Sequence, residues 1–255
     1  MLDKKCIVFD LDGTVYFGDN LAENATKILQ YCYEKFEHVF FVTNNSAKTR
    51  NEIYQKLCQM GLNIDINHLI TCGYTIAKYL TKNNYENVFT IGTESLKKEL
   101  KLQGINPESK DPQAIVVGYN REFCLEDLKP IVKYKNTDLN LIIANKEHSY
   151  PWNNGELLPG AGQIIVSVEY TLNKPYDICV GKPNPMMLET MLEGLNINPN
   201  EVLVVGDSYE SDIVMAQNYG ATGVYITEEK RNDCICIENL SELLEVIKWL
   251  NYLIL

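Results

Sequence analysis

Short runs of consecutive apolar residues alternate with longer amphipathic stretches along almost the whole chain. The runs at residues 6–9, 39–42 and 202–205 are rich in β-branched and aromatic side chains, and helical patterns separate them. A strand that is apolar on both faces is typical of a parallel sheet with helices packed on each side. The sequence therefore predicts an α/β fold built on a doubly wound parallel sheet.

The middle of the chain repeats this alternation with elements of its own. Apolar runs occur at residues 88–91, 114–117 and 141–144, and helices are predicted at 94–102, 125–135 and 162–169. A separate set of strands and helices indicates a second core. We therefore predict an inserted α/β domain at residues 73–177, and a core domain formed by residues 1–72 and 178–255.

Composition narrows the classes of partner. The 255 residues carry a net charge of −11, and an acidic surface repels nucleic acid and anionic lipid. No apolar run reaches the length of about 18 residues that a membrane span needs. The eight cysteines are scattered along the sequence, which is typical of reduced thiols in a cytoplasmic protein. We expect a cytoplasmic protein that binds neither nucleic acid nor membranes.

The run Asp10-Leu11-Asp12-Gly13-Thr14 follows the first predicted strand directly. Ligands of parallel α/β sheets bind at the carboxyl ends of the strands, so both carboxylates would point into that crevice. One acid can attack phosphorus while the other transfers protons, and Gly13 permits a tight turn. A surface turn of the sequence Asp-x-Asp-Gly is the alternative that this run leaves open by itself.

Three further polar segments follow predicted strands in the same way. They are Thr43-Asn44-Asn45-Ser46, Gly181-Lys182-Pro183, and the loop from Gly206 through Asp207 to Asp212. Hydroxyl and amide groups can cradle a phosphate, and a lysine can offset its charge. Each segment alone is an ordinary turn, surface lysine or helix cap. The four segments together, each at a strand end, indicate a phosphate site.

These four motifs resemble those of the haloacid dehalogenase (HAD) superfamily of phosphotransferases. The position of the insertion resembles subfamily IIA, the NagD-like and 4-nitrophenylphosphatase-like phosphatases. Only a short stretch separates Asp10 from Thr43, whereas residues 44–181 lie between Thr43 and Lys182. The resemblance implies a Rossmann-like core with an inserted α/β cap domain that selects the substrate.

The resemblance also implies roles for individual residues. Asp10 would be the nucleophile, Asp12 the general acid and base, Thr43 a ligand of the phosphoryl group, and Lys182 its counter-charge. Asp10, Asp207 and the main-chain carbonyl of Asp12 would hold Mg²⁺. The remaining implied roles are substrate binding by Asn44, Asn45 and Lys182, and support by Gly13 and by Asp212, which would hold either the water shell of the metal or Lys182.

The resemblance implies a Mg²⁺-dependent phosphatase for small phosphate monoesters, working through an aspartyl-phosphate, with a homodimer formed through the cap. One segment departs from the branch, which usually has Thr-Asn-x-Asp where this chain has Ala144-Asn145-Lys146-Glu147. His148, Tyr150 and Trp152 follow, and they either line the substrate side of the cap or pack within its loop.

Two other functions use the same motifs. A phosphomutase or phosphotransferase returns the phosphoryl group to an organic acceptor instead of water, and its familiar form carries a cap between the first two motifs. A ligand-binding member without catalysis would share the fold, because a fold alone does not establish activity. That class is expected to lack a motif residue, and this chain has all of them.

Overall fold

The computed structural model describes residues 4–151 and 156–252 of the chain. The described residues form two compact units. Within the described ranges, the first comprises residues 4–43, 54–70 and 182–252, and the second comprises residues 44–53, 71–151 and 156–181. The assignment of residues 1–72 and 178–255 as a catalytic core, and of 73–177 as a substrate-specificity domain, stays a prediction.

The sheet of the first unit has six strands. Their spatial order is Ile235–Ile237, Thr222–Ile226, Val202–Gly206, Cys6–Asp10, His38–Thr43 and Leu69–Thr71. Cys6–Asp10 pairs in parallel with both of its neighbours. Every residue of Cys6–Asp10 and of Val202–Gly206 is buried, as expected for a parallel sheet covered on both faces.

Helices of the first unit connect these strands. They are Ala25–Lys35, the part of Arg50–Gln59 from residue 54 onward, Met186–Leu192, Val214–Tyr219 and Leu243–Tyr252, with short 3₁₀ turns at Ile66–His68, Pro199–Glu201 and Leu240–Glu242. A two-stranded hairpin, Tyr16–Phe17 with Asn20–Leu21, follows the first strand. The sequence did not predict this hairpin or the strand Leu69–Thr71.

The second unit contains a four-stranded sheet that is parallel throughout. Its strands lie in the order Ile178–Cys179, Asn140–Ile143, Ala114–Val117 and Val88–Ile91. The helix Gly162–Leu172 packs its apolar side onto this sheet, with Ile165 and Val168 fully buried beside Ile115 and Leu141. Two parallel sheets with crossover helices confirm the predicted α/β fold class.

The remaining elements of the second unit are the helices Cys72–Lys82 and Glu94–Leu102, the 3₁₀ helix Leu125–Tyr134, and the hairpin of Ser149–Pro151 with Leu157–Pro159. The α-helix predicted at residues 125–135 is wrong in type. Pro130 lies inside this segment, and in an α-helix its ring would clash with the carbonyl group four residues earlier, which disfavours the α form. The helix Cys72–Lys82, which Thr71 caps through its hydroxyl, was not predicted.

No helix of the described residues is both long and apolar enough to cross a bilayer. The predicted cytoplasmic location stays a prediction. Trp152, which the sequence marked as a candidate substrate contact, lies outside the described residues.

Candidate active site

Two neighbouring strands at the centre of the first sheet end in carboxylates. Asp10 is the last residue of Cys6–Asp10, and Asp207 follows Val202–Gly206 directly. The chain moves outward from Cys6–Asp10 to one side of the sheet and returns on the other side at Val202–Gly206. This reversal is the topological switch point at which doubly wound sheets bind ligands.

Lys182 joins two buried acids of the first unit. Its ammonium Nζ lies 2.5 Å from Asp10 Oδ1 and 2.6 Å from Asp212 Oδ1. The three side chains are almost completely buried, with relative exposures of 3%, 6% and 1% for Lys182, Asp10 and Asp212. The fold therefore brings Lys182 and Asp212 to the predicted nucleophile, and it places Asp212 as the second anchor of Lys182.

A π-helical turn, Tyr209–Ile213, carries Asp212 into this position. In this turn the side chain of Asp212 lies against Gly206. A Cβ atom on Gly206 would lie 2.3 Å from the carboxyl carbon of Asp212, so only glycine fits there. The main-chain N–H of Ser208 donates to Asp212 Oδ2 at 3.1 Å. Such π turns are frequent at functional sites.

Gly13 and Thr14 bring the first motif against Asp207. A Cβ atom on Gly13 would lie 2.1 Å from Asp207 Oδ2, and the φ angle of Gly13 is +94°. Both facts make glycine necessary at this turn. The hydroxyl of Thr14 donates to Asp207 Oδ1 at 3.3 Å. The predicted supporting role of Gly13 thus has a physical basis, which is room for the Asp207 carboxylate.

Asp12 differs from Asp10 in being exposed to solvent. The hydroxyl of Thr43 donates to Asp12 Oδ2 at 3.3 Å, which brings the second motif to the first. Tyr16 is a neighbour that sequence reasoning missed. Burial and the nearby Asp12 carboxylate raise the pKa of its phenol, with a hydrogen bond to Asp12 adding to the effect. An isolated backbone bridge also pairs Asp12 with Tyr16, and the sequence carried no signal for it.

The electrostatics of this cluster are unbalanced. Oxygen atoms of Asp10, Asp207 and Asp212 all lie within 4.8 Å of one another. Burial raises the pKa of Asp10 well above its usual range against the opposing effect of Lys182, and burial followed by the Asp212 charge raises the pKa of Asp207 to about 6. Three carboxylates against one ammonium leave two negative charges without a partner when all are ionised. A divalent cation would neutralise them, so the donor set fits one.

The other two predicted substrate contacts belong to the second unit. The amide nitrogen of Asn44 donates to Glu147 Oε1 at 2.8 Å. The amide oxygen of Asn45 accepts the main-chain N–H groups of Ala47 and Lys48 at 3.0 and 3.1 Å. Both side chains therefore make hydrogen bonds to neighbouring protein groups. Their contact with a substrate stays a prediction.

Two family models match separate parts of the chain. Residues 7–106 match the haloacid dehalogenase-like hydrolases, and residues 179–239 match a HAD-hydrolase-like model. The acid sugar phosphatase of Staphylococcus aureus is 30% identical over 244 residues, which cover 91% of this chain and 92% of that protein.

Solved structures share the fold over nearly the whole chain. The 4-nitrophenylphosphatase of Thermotoga maritima superposes with a TM-score of 0.88 at 24% identity, covering 95% of this chain and 97% of that one. A structure whose name assigns it as a nagD protein gives a TM-score of 0.87 at 25% identity, with 94% and 98% coverage. The comparisons thus extend through both compact units.

The chain belongs to the haloacid dehalogenase-like hydrolases. Within this family it is a NagD-like member of subfamily IIA, and it is a phosphoric monoester hydrolase.

Proposed function

We propose that this protein hydrolyses small phosphate monoesters with Mg²⁺ through an aspartyl-phosphate on Asp10. The observation that carries this proposal is the buried cluster in which Asp10 meets Lys182 and Asp207 at the switch point of the sheet. A buried carboxylate that shares a lysine and lies beside other acids is unfavourable for the folded state. It becomes useful when a cation and a phosphoryl group complete the site.

The chemistry assigned to the chain consists of two displacements at phosphorus. An oxygen of Asp10 forms a bond to phosphorus while the bond to the leaving oxygen breaks, and Asp12 donates its proton to that oxygen. Water then attacks the aspartyl-phosphate as Asp12 removes its proton, and the bond between phosphorus and Asp10 breaks. Asp12 is exposed, which suits a general acid and base that has to exchange protons with water. Asp10 is buried, which suits a nucleophile that does not.

The phosphoryl group needs positive and hydrogen-bonding partners. Lys182 supplies a fixed ammonium beside Asp10, and Thr43 supplies a hydroxyl next to Asp12. The side chains of Asn44 and Asn45 are engaged with the protein, so we assign their main-chain N–H groups to the phosphoryl oxygens. Main-chain N–H groups at a strand end commonly bind phosphate in this manner.

Asp10, Asp207 and the main-chain carbonyl of Asp12 are the residues that would hold Mg²⁺. A site with only oxygen ligands, of which two are carboxylates, suits Mg²⁺ better than it suits a softer metal ion. When bound, Mg²⁺ supplies positive charge beside the transferring phosphoryl group. We assign Asp212 to anchoring Lys182 and not to the metal, because its two oxygens accept hydrogen bonds from Lys182 and from the N–H of Ser208.

A sugar phosphate or a similar small ester is the substrate class that we propose. The similar protein from Staphylococcus aureus carries the name acid sugar phosphatase, and the Thermotoga maritima structure is named for 4-nitrophenyl phosphate. We assign the choice among small esters to residues 73–177. The predicted homodimer through this domain, and the predicted lack of nucleic-acid and membrane partners, stay predictions.

The test is a turnover screen over sugar phosphates, phosphoglycolate, nucleoside monophosphates, pyridoxal phosphate and 4-nitrophenyl phosphate, with and without Mg²⁺. We expect Mg²⁺-dependent release of inorganic phosphate that the variant Asp10→Asn loses by on the order of 10⁴-fold. If a substrate with a labelled phosphoryl group passed that group to a second organic molecule and released no inorganic phosphate, the protein would instead be a phosphotransferase. A folded Asp10→Asn variant with wild-type turnover would contradict the proposal.

A further inference from the structure

Glu147 occupies the position at which the sequence departs from its branch, and the structure gives it a definite partner. Its Oε1 atom accepts the amide N–H of Asn44 at 2.8 Å. Asn44 directly follows Thr43 in the chain and is only 8% exposed. A hydrogen bond from a largely buried amide to a carboxylate is among the stronger kinds in proteins. Glu147 therefore fixes the residue that follows the proposed phosphate ligand.

The same segment holds the main chain of Asn44. The amide nitrogen of Asn145 donates to the carbonyl oxygen of Asn44 at 2.9 Å, and Asn145 is 3% exposed. The oxygen of Asn145 in turn accepts the N–H of Glu147 at 3.2 Å. Asn44 is thus held by a side-chain contact and a main-chain contact that both originate in residues 145–147.

Gly181 packs closely against Asn44 as well. A Cβ atom on Gly181 would lie 2.6 Å from Asn44 Oδ1 and 2.5 Å from the carbonyl oxygen of Ala144. Its N–H donates to that same carbonyl at 2.6 Å. Because Lys182 follows Gly181 directly, Asn44 packs against the residue that precedes the proposed counter-charge.

Two glycines of the segment Pro159-Gly160-Ala161-Gly162 hold the main chain of Glu147. The N–H of Gly162 donates to the carbonyl oxygen of Glu147 at 2.9 Å. A Cβ atom on Gly160 would lie 2.2 Å from that oxygen, so a larger residue would displace Glu147. The carboxylate of Glu147 is therefore presented to Asn44 from a rigid main chain.

We propose that Glu147 is a positioning residue for the phosphatase reaction. It acts through Asn44, which Glu147 and Asn145 hold by hydrogen bonds and against which Gly181 packs. Glu147, Asn44, Asn145 and Gly181 belong to the second unit, whereas Thr43 and Lys182, the chain neighbours of Asn44 and Gly181, belong to the first. This inference rests on the proposed function, since Thr43 and Lys182 matter only if they bind the phosphoryl group.

The test compares Glu147→Ala with Glu147→Gln, which keeps an oxygen acceptor for Asn44. With 4-nitrophenyl phosphate and saturating Mg²⁺, Glu147→Ala is expected to lower kcat/KM by about 10- to 100-fold with a raised KM. Glu147→Gln should stay within about threefold of the wild type. Loss of folded protein alone would lower kcat and leave KM unchanged, so the raised KM separates positioning from mere instability.

Lys146→Ala is the matched control. Lys146 is the neighbour of Glu147, and its ammonium pairs with Glu169 at 3.2 Å instead of with Asn44. We expect wild-type kinetics from it. Asn44→Ala combined with Glu147→Ala should lose no more than either variant alone, because both remove one interaction. Losses that multiply, or a Glu147→Ala variant within twofold of the wild type, would overturn the proposal.

Hydrogen exchange separates failure of this proposal from failure of the proposed function. In Glu147→Ala, the peptide that spans residues 43–49 should exchange about tenfold faster than in the wild type, and in Glu147→Gln it should not. This readout does not require turnover. An unchanged exchange rate would refute the positioning role, whereas an inactive wild-type protein with the expected exchange would refute only the phosphatase mechanism.

Discussion

Each compact unit buries an acidic side chain, but the two acids have different surroundings. In the first unit, Asp10 shares one lysine with Asp212 and lies near Asp207. In the second unit, Glu99 is 3% exposed and accepts the main-chain N–H of Arg50 at 2.8 Å. Burial raises the pKa of both acids. Two further carboxylates, Asp212 and Asp207, add to the effect at Asp10. At Glu99, the charge of the single neighbour Glu52 is opposed by Arg50.

This difference in surroundings indicates that Glu99 stabilises the fold, whereas Asp10, Asp207 and Asp212 need a bound cation. Glu99 anchors the start of the helix Arg50–Gln59 onto the second unit, and its hydrogen bond offsets part of its burial. The acids of the first unit exceed their single lysine, so the protein alone does not balance them. An imbalance of charge at a strand-end crevice is a mark of function.

Lys182→Met removes the only cation that contacts Asp10 among the described residues, and it should have a larger effect than substitution of Asp207, Asp212 or Glu99. Turnover should fall by on the order of 10³-fold, because the phosphoryl group loses its fixed counter-charge. The free energy of unfolding should fall by about 3–5 kcal/mol, since two buried carboxylates lose their partner. Steady-state kinetics and urea denaturation measure the two effects. A variant with wild-type stability and turnover would remove the basis of the comparison.

Asp207→Asn and Asp212→Asn make the same chemical change at two members of the cluster. Mg²⁺ at 100 times its dissociation constant should stabilise the wild-type protein by about 2.7 kcal/mol. Asp207→Asn should abolish this gain, whereas Asp212→Asn should keep it and lose about 10- to 100-fold in turnover through a poorly anchored Lys182. Thermal unfolding with and without Mg²⁺ measures the gain.

Glu99→Gln is the matched acid-to-amide change in the second unit. It should leave turnover and the Mg²⁺ effect within about twofold of the wild type. If instead Asp212→Asn lost the Mg²⁺ effect, Asp212 would belong to the metal and its water shell, which is the other role that the sequence left open.

Glu99→Gln should also change the pH dependence of stability, and this is the smallest expected effect. Burial raises the folded-state pKa of Glu99, so the folded protein binds its proton more tightly than the unfolded chain. The stabilisation is therefore complete below the usual pKa of 4.5 and is lost as the pH rises through the higher folded-state value. The urea midpoints measured at a pH below and a pH above this range should differ less in Glu99→Gln than in the wild type. An unchanged difference would contradict the assignment.

The sequence predicted the parts of the site that depend on sheet topology. Asp10, Thr43 and Asp207 lie at the carboxyl ends of strands of the first sheet, and these ends of parallel strands meet at one edge. The prediction for Lys182 rested on a strand just before its motif, but Ile178–Cys179 pairs in the second unit's sheet. Sheet topology therefore does not explain the contact of Lys182 with Asp10.

Contacts made by chain reversal were not predictable. Asp212 reaches Lys182 only because a π turn folds it over Gly206, and Glu147 reaches Asn44 across about a hundred residues of chain.

The elements that the sequence missed had weaker signals. Thr71 caps the helix Cys72–Lys82, and Ile76 and Leu80 bury one side of it, but the helix begins within one residue of the predicted domain boundary. The 3₁₀ segment Leu125–Tyr134 has helical periodicity, and Pro130 was the only residue to argue against an α-helix. The hairpin strands are too short for a pattern to develop.

The central claim is that Asp10 becomes phosphorylated, and the variant Asp12→Asn offers the most direct test. The leaving group of 4-nitrophenyl phosphate departs without help from an acid, so the first step should proceed while removal of the proton from water fails. Acid quenching after reaction with the radiolabelled ester, followed by peptide mapping, should place the label on the peptide that contains Asp10. Label on another residue, or continued turnover without any labelled enzyme, would contradict the account.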